Sequence, residues 1–317
     1  MKLIIKNMLV VSLLLTAVMA KESVKVETTQ DIQVYTAENK DGKITPKTIQ
    51  TAFEKAGFHI TANRDMNTPF KKQFKESSFD VYNLFTFYKK DAVLELAKKY
   101  ENVGLFAPMS MSIYTKKGEK SISVSSLSAE AMAKIMKIPA DDKVLLDLRA
   151  LVVKALEEAL PNAKLEKLPY QIAKAPGELV TTFSMEMEDP EDWEDELDEA
   201  KMEFEGELAT YGFIVAGHNN LGEEFKEAKY EGYDFYEVYS ICKLPVIFNI
   251  AKTRPEAGAF APCSLYLEKK KSDKALTIAF PSVYNWVSSL AITDKNDLKV
   301  LEDAQKTMSD ILTSLTE

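Results

Sequence analysis

The chain has 317 residues, enough for about two domains. With 46% apolar and 28% charged residues it has an ordinary globular composition and enough material for two sizeable cores. A net charge of -9 repels phosphate backbones and speaks against nucleic-acid binding.

Residues 1–20 read as a signal peptide. Lys2 and Lys6 form a short basic region, and Met8 to Val18 is an apolar run of signal-peptide length, too short for a good membrane span. Val18 and Ala20 stand at the positions that signal peptidase tolerates, so cleavage is expected after Ala20; the alternative is an uncleaved anchor. No later stretch approaches 18 apolar residues, and no cysteine stands near the cleavage point to carry a lipid. The mature protein is expected to be periplasmic or secreted, with no membrane span after cleavage.

Residues 21–30 are polar and read as a linker. Asp31 to Thr36 alternates as a strand does. Thr45-Pro46 then opens a helix, with Thr45 as its cap, Ile49, Ala52, Phe53 and Ala56 as its apolar face and Gly57 as its stop. Phe58 to Ala62 is a second strand, Thr68 to Lys75 a short helix, Asp80 to Tyr88 an aromatic strand, and Lys90 to Tyr100 a helix. A strand from Leu105 to Tyr114 turns at Lys116-Lys117-Gly118 and returns as Ser121 to Ser126. A long helix capped near Asp141 follows, with a wide stripe from Val144 to Leu156.

The same order then recurs. Gly104-Leu105-Phe106-Ala107-Pro108-Met109-Ser110 returns as Gly258-Ala259-Phe260-Ala261-Pro262-Cys263-Ser264, with five of seven positions identical. Ala56-Gly57-Phe58 returns as Tyr211-Gly212-Phe213, and Phe79-Asp80-Val81-Tyr82 as Tyr233-Asp234-Phe235-Tyr236, the offset staying at 154 or 155 residues. The second copy offers a strand over Leu179 to Met187 and a helix across about 192–210. Another helix follows over Pro245 to Lys252, then strands over Phe260 to Glu268 and Ala275 to Phe280, and a C-terminal helix from about Leu298. Residues 31–160 and 178–317 are therefore two repeats, joined by a linker over 161–177. The strand–turn–strand pairs break the alternation of a parallel doubly wound fold, so the fold class is α+β: two tandem repeats of strand–helix–four-stranded mostly antiparallel sheet–helix.

On these motifs each copy resembles the domain-of-unknown-function family 302. The second copy is similar to it at Gly212-Phe213, at Ile241-Cys242-Lys243 followed by Pro245, and at Gly258 through Cys263, so both cysteines fall on the family's cysteine positions. The first copy lacks them, with Tyr88 and Met109 in their place. The resemblance implies a fold like the TATA-binding-protein half-unit and no established activity.

Chemistry is sparse. Cys242 and Cys263 are the only cysteines. In an oxidising compartment they suggest a structural disulfide, closing a loop of about 22 residues and contributing about 3 kcal/mol. The alternatives are a reactive thiol pair, with a thiolate favoured at a helix N-terminus, and two inert buried thiols. His218 with Cys242 and Cys263 would make a soft-metal set, though in no close spacing; otherwise His218 is a turn residue and His59 an ordinary strand residue. Glu186 to Glu205 holds 12 acids and one lysine, a solvated linker and helix face or else a docking surface for a basic partner or a weak Ca²⁺ site, without the spacing of an EF-hand loop. Met109, Met111, Met132 and Met136 read as core rather than as copper ligands. Lys269-Lys270-Lys271 reads as a solvated hairpin tip. No Ser-His-Asp order and no glycine-rich phosphate loop is present, and no cofactor is implied. The expectation is a non-enzymatic protein that binds an unknown small ligand or an envelope protein, with thiol-redox or soft-metal handling through Cys242 and Cys263 as the alternative. Gly104, Pro108, Gly258 and Pro262 mark the repeat.

Overall fold

The computed structural model describes residues 30–187, 193–271 and 273–316. The expected signal peptide, nearly all of the 21–30 linker and residues 188–192 of the acidic run lie outside the described residues.

The first repeat runs β1 (Ile32–Glu38), α1 (Pro46–Lys55), β2 (His59–Asp65), α2 (Asn67–Phe74), β3 (Phe79–Tyr88) and α3 (Lys90–Ala97). A 3-10 turn (Glu101–Phe106), β4 (Met109–Lys116), β5 (Ser121–Leu127), α4 (Ala129–Met136) and α5 (Lys143–Ala159) complete it. A short β6 (Lys164–Leu165) leads to the second repeat: β7 (Val180–Glu186), α6 (Trp193–Thr210), β8 (Ile214–Asn220), α7 (Leu221–Glu227), β9 (Tyr233–Cys242) and α8 (Leu244–Thr253). A second 3-10 turn (Pro255–Phe260), β10 (Cys263–Lys270), β11 (Ala275–Pro281), α9 (Tyr284–Ser289) and α10 (Lys295–Thr316) follow. The two sheets share one order, β2-β3-β4-β5-β1 against β8-β9-β10-β11-β7, with β6 added beside β1. Every strand pairing among the described residues is antiparallel. The chain is thus α+β and duplicated.

Local chemistry accounts for the element ends. Thr45 caps α1 in a reciprocal box with Thr48, and Pro46 fills its first turn, where no N–H is needed. Gly57 and Gly212 stand at φ +81 and φ +73, the left-handed conformation that ends a helix and that glycine adopts without strain. Asp142, rather than Asp141, caps α5, accepting from Val144 N at 2.9 Å and Leu145 N at 3.2 Å.

The central strands of each sheet are buried on both faces. In the first repeat Phe85 and Phe87 of β3 point with Met111, Ile113 and Val124 at Phe53 of α1 and Leu145 and Leu148 of α5. In the second, Tyr239, Ile241, Leu265 and Ile278 meet Phe204 of α6 and Met308 and Ile311 of α10. The alternate residues, Tyr82, Leu84 and Tyr88 of β3 and Tyr236 and Val238 of β9, point the other way into one core that the two repeats share. That is why the aromatic strands show no polar face.

Four readings are corrected. The signature stretches do not open as strands: Gly104 and Gly258 lie in 3-10 turns, and the ladders begin at Met109 and Cys263, after prolines that have no N–H to give. Three short helices, α4, α7 and α9, add to the expected set. Lys269 is not at a solvated tip; it is 4% exposed, its ammonium 2.7 Å from Asp234. Lys270 pairs with Glu101 of the other repeat. The segment between the repeats is tied down: β6 pairs with β1, and Ala173 and Ser288 exchange hydrogen bonds of 2.9 and 2.5 Å.

Candidate functional site

The repeats dock by exchanging their signature turns. The turn Pro255–Phe260 lies over the first sheet. Tyr82 OH and Ser112 Oγ donate to Pro255 O at 3.0 and 2.9 Å, and Ser125 Oγ donates to Glu256 O at 3.0 Å. The turn Glu101–Phe106 lies over the second sheet. Tyr236 OH donates to Glu101 O at 2.6 Å and accepts from Gly104 N at 2.8 Å. Ser110 Oγ donates to Pro262 O at 3.0 Å, and Ser264 Oγ returns the contact to Pro108 O at 3.1 Å. These pairs are related by a pseudo-two-fold axis, as in an isologous dimer. The glycines have a steric reason. A Cβ on Gly104 would stand 2.5 Å from Tyr266 Cβ, and one on Gly258 2.4 Å from Ser112 Cβ.

Two carboxylates are buried in this seam. Glu256 is 4% exposed, and burial raises its pKa against the Tyr170 hydroxyl bonded to it at 2.5 Å. Glu268 of β10 is 2% exposed, and its Oε2 has no hydrogen-bond partner. Burial pushes Glu268 up to about 7; Thr277 and Lys270 oppose the rise, while Glu101 and Asp273 add to it.

Beside the seam the edge strands β2 and β8 enclose a cleft of about 390 Å³. Its walls are Met66, Leu84, Ile214, Leu244 and Pro262, with Arg64, Thr86, Ser240 and Cys242 among them. Thr86 and Ser240 are counterparts, and the difference between them is instructive. Thr86 Oγ1 bonds Thr61 Oγ1 at 2.6 Å, Thr61 being the residue bulged out of β2 between Ile60 and Ala62. The same bulge in β8 falls between Val215 and Gly217, and the residue there is Ala216. Alanine has no hydroxyl to offer. Ser240 is 2% exposed, and its Oγ has no partner.

With this doubled architecture in view, the family model for the domain of unknown function DUF302 matches residues 34–159 and again 192–315. The chain belongs to the DUF302 family. A crystal structure of an uncharacterized conserved DUF302 protein from Bacillus stearothermophilus is similar to it, at 16% identity and a TM-score of 0.37, over 44% of this chain and 100% of that one. No curated protein matches it.

In this DUF302 pair Cys242 and Cys263 are both free, which corrects the expected disulfide. The ladder gives the reason: Cys263 stands opposite Ile241, so Cys242, the next residue, projects from the other face of the pleat. Burial pushes both thiols up to about 12, the reverse of an activated thiolate. The two still line one apolar cavity of about 70 Å³, together with Trp286 and Met308. The counterpart cavity in the first repeat, where Met109 replaces Cys263, measures about 20 Å³.

His218 is not brought to the cysteines. It lies opposite Tyr239 in the ladder, and its Nε2 is 2.7 Å from Glu237 Oε2, which Lys201 also holds at 2.7 Å. Burial raises the Glu237 pKa, but these two partners outweigh it and hold the carboxyl below its usual range. Among the described residues no group of three or more His, Cys, Asp or Glu is placed to hold a metal ion. His59 packs edge-on against Tyr88. Met109, Met111 and Met132 lie in the first helix–sheet core and Met136 in the shared core. Along the described part of the acidic run, Leu197 and Phe204 of α6 are buried. No helix among the described residues is long and apolar enough to cross a membrane. Ser240, Arg64 and the seam carboxylates are not singled out by sequence reasoning. The one available signal is Ser240 itself, a lone hydroxyl in an aromatic and aliphatic strand.

Proposed function

We propose that this DUF302 pair is a binding protein, exported through residues 1–20, whose inter-repeat cleft accepts a small, largely apolar ligand carrying a polar atom for Ser240. The unpartnered Ser240 hydroxyl carries the reading. Leaving a buried hydroxyl unpaired costs about 1–3 kcal/mol, and a ligand atom that met it would recover that. The cleft, about 390 Å³, is within the usual range of ligand sites. On the scale of a 150 Å³ cavity that holds benzene, it takes roughly 15 non-hydrogen atoms. The absence of a catalytic constellation in the sequence fits binding better than turnover. Thiol-redox or metal handling has no support from a pair of protonated, unbridged thiols with His218 held elsewhere.

The test is calorimetric titration with 1,8-octanediol, an apolar chain with hydroxyl ends, against the wild type and Ala216→Thr. Ala216→Thr restores the hydroxyl found at Thr61, giving Ser240 an internal partner. Octanediol is expected to bind the wild type and to lose about tenfold on Ala216→Thr, the equivalent of one hydrogen bond. Equal binding to both proteins, or none to the wild type, refutes the reading.

A further inference from the structure

The rim of the cleft carries an unusual cation. Arg64 is the next-but-one residue after Ala62 on β2, and its guanidinium is exposed. One amino group, Nη2, donates to Ala216 O across the gap between the repeats at 2.8 Å, which fixes the planar fork at the cleft mouth. In a chain of net charge -9, Arg64 forms no salt bridge among the described residues. The neighbouring acid, Asp65, is committed elsewhere. Its Oδ1 accepts from Asn67 N at 3.0 Å, and its Oδ2 from Thr68 N at 3.1 Å and Thr68 Oγ1 at 2.6 Å, at the start of α2. The counterpart of Arg64 in the second repeat is Asn219, so the pseudo-symmetry supplies one cation to the cleft and not two.

We propose that the cleft selects a short-chain monocarboxylate with a second polar group, its carboxylate on the Arg64 guanidinium at the rim, its chain between Leu84, Ile214 and Leu244, and its far polar atom on Ser240. This rests on the ligand-cleft reading above and specifies its chemistry. A guanidinium presents parallel N–H donors that match the two oxygens of a carboxylate, and one already anchored through Nη2 loses less freedom on binding. The rim position leaves the anion partly hydrated, so only the chain has to be desolvated. A dianion would put its second charge among Leu84, Ile214 and Leu244, and among the described lining residues Arg64 is the only Lys or Arg.

Titration with 8-hydroxyoctanoate and with 1,8-octanediol separates the two claims, because the probes differ at one end alone, a carboxylate in one and a hydroxymethyl group in the other. The wild type is expected to bind the hydroxy acid about tenfold more tightly at low salt, with the preference shrinking as salt rises. Arg64→Met is expected to abolish the preference, bringing the ratio of the two affinities to about one whatever it does to the affinity for octanediol. Arg64→Lys, which keeps the charge and loses the fork, retains part of it. Equal affinity for the two probes in the wild type, or a preference that survives Arg64→Met, overturns the carboxylate assignment and leaves the cleft reading standing. Failure of both probes to bind overturns the cleft reading and this inference with it.

Discussion

Replacing Glu268 with Gln should change stability in a direction that depends on pH. The carboxyl is buried at the seam, faces Tyr233, Tyr236 and Tyr266 on its own sheet and Glu101 on the opposing turn, and titrates near 7 in place of an ordinary 4.5. Between those values the folded protein keeps a proton that the unfolded chain has released. Stability therefore falls as pH rises through that window, and the full penalty is present above pH 7. The interval from 4.5 to about 7 corresponds to about 3 kcal/mol. Glutamine removes the charge but leaves an amide N–H group where Oε2 has no partner, which costs about 1 kcal/mol. The expected outcome is a variant more stable than wild type by about 2 kcal/mol at pH 8 and less stable by about 1 kcal/mol at pH 4.5.

Urea unfolding at both pH values measures this, followed by circular dichroism for both repeats and by fluorescence of Trp193 and Trp286 for the second. The shared core predicts that the two signals coincide. A stability difference of the same size and sign at pH 4.5 and pH 8 would falsify the argument, since it would mean that Glu268 ionises like an exposed glutamate.

The remaining predictions concern the seam glycines and the thiols. Gly258→Ala and Gly104→Ala each place a methyl against the opposing sheet and should cost at least about 1–3 kcal/mol in urea unfolding. Gly206→Ala, at an exposed site of α6 with nothing within 4 Å, should gain up to about 1 kcal/mol; seam variants that unfold like wild type contradict the close approach. With thiols near 12 the thiolate fraction at neutral pH is roughly a thousandfold below that of an ordinary cysteine at 9.0, so Ellman's reagent should find almost no fast-reacting thiol in the folded protein and both in denaturant. The intact mass of exported protein should begin at Lys21 with both thiol hydrogens present. A mass lower by two hydrogens contradicts the free thiols, and retention of residues 1–20 contradicts cleaved export.

The sequence made the duplication legible in part because several repeated residues are glycines with little room for a substitute: Gly57 and Gly212 at positive φ, Gly104 and Gly258 under an opposing side chain. The individual strands and long helices were legible from periodicity, within a few residues. The docking was not. Its contacts join residues more than a hundred positions apart, and a strand that is apolar on both faces carries no mark of which face meets which partner. The disulfide expectation failed on a single step of register. Residues 242 and 263 were correctly placed on neighbouring strands, but only the ladder shows that Ile241, not Cys242, stands opposite Cys263. The unpaired Ser240 depends on the same kind of detail. It becomes visible once the bulges are aligned and Ala216 is seen to stand where Thr61 does.

Comparison of the two copies within this one chain bears on the proposed cleft. At the seam the counterparts stay alike: Tyr82 and Tyr236, Gly104 and Gly258, Pro108 and Pro262, Ser110 and Ser264. Each pair makes reciprocal contacts, so a change on one side spoils one half of a docking surface that both halves need. Around the cleft and the cavity behind it the counterparts have parted: Thr61 and Ala216, Arg64 and Asn219, Tyr88 and Cys242, Met109 and Cys263. The differences leave one hydroxyl unpaired, one guanidinium that forms no salt bridge among the described residues and one cavity enlarged, and Ser240, Arg64 and Cys242 all line the same cleft. A ligand without two-fold symmetry, polar at both ends and charged at one, is what such a broken symmetry fits.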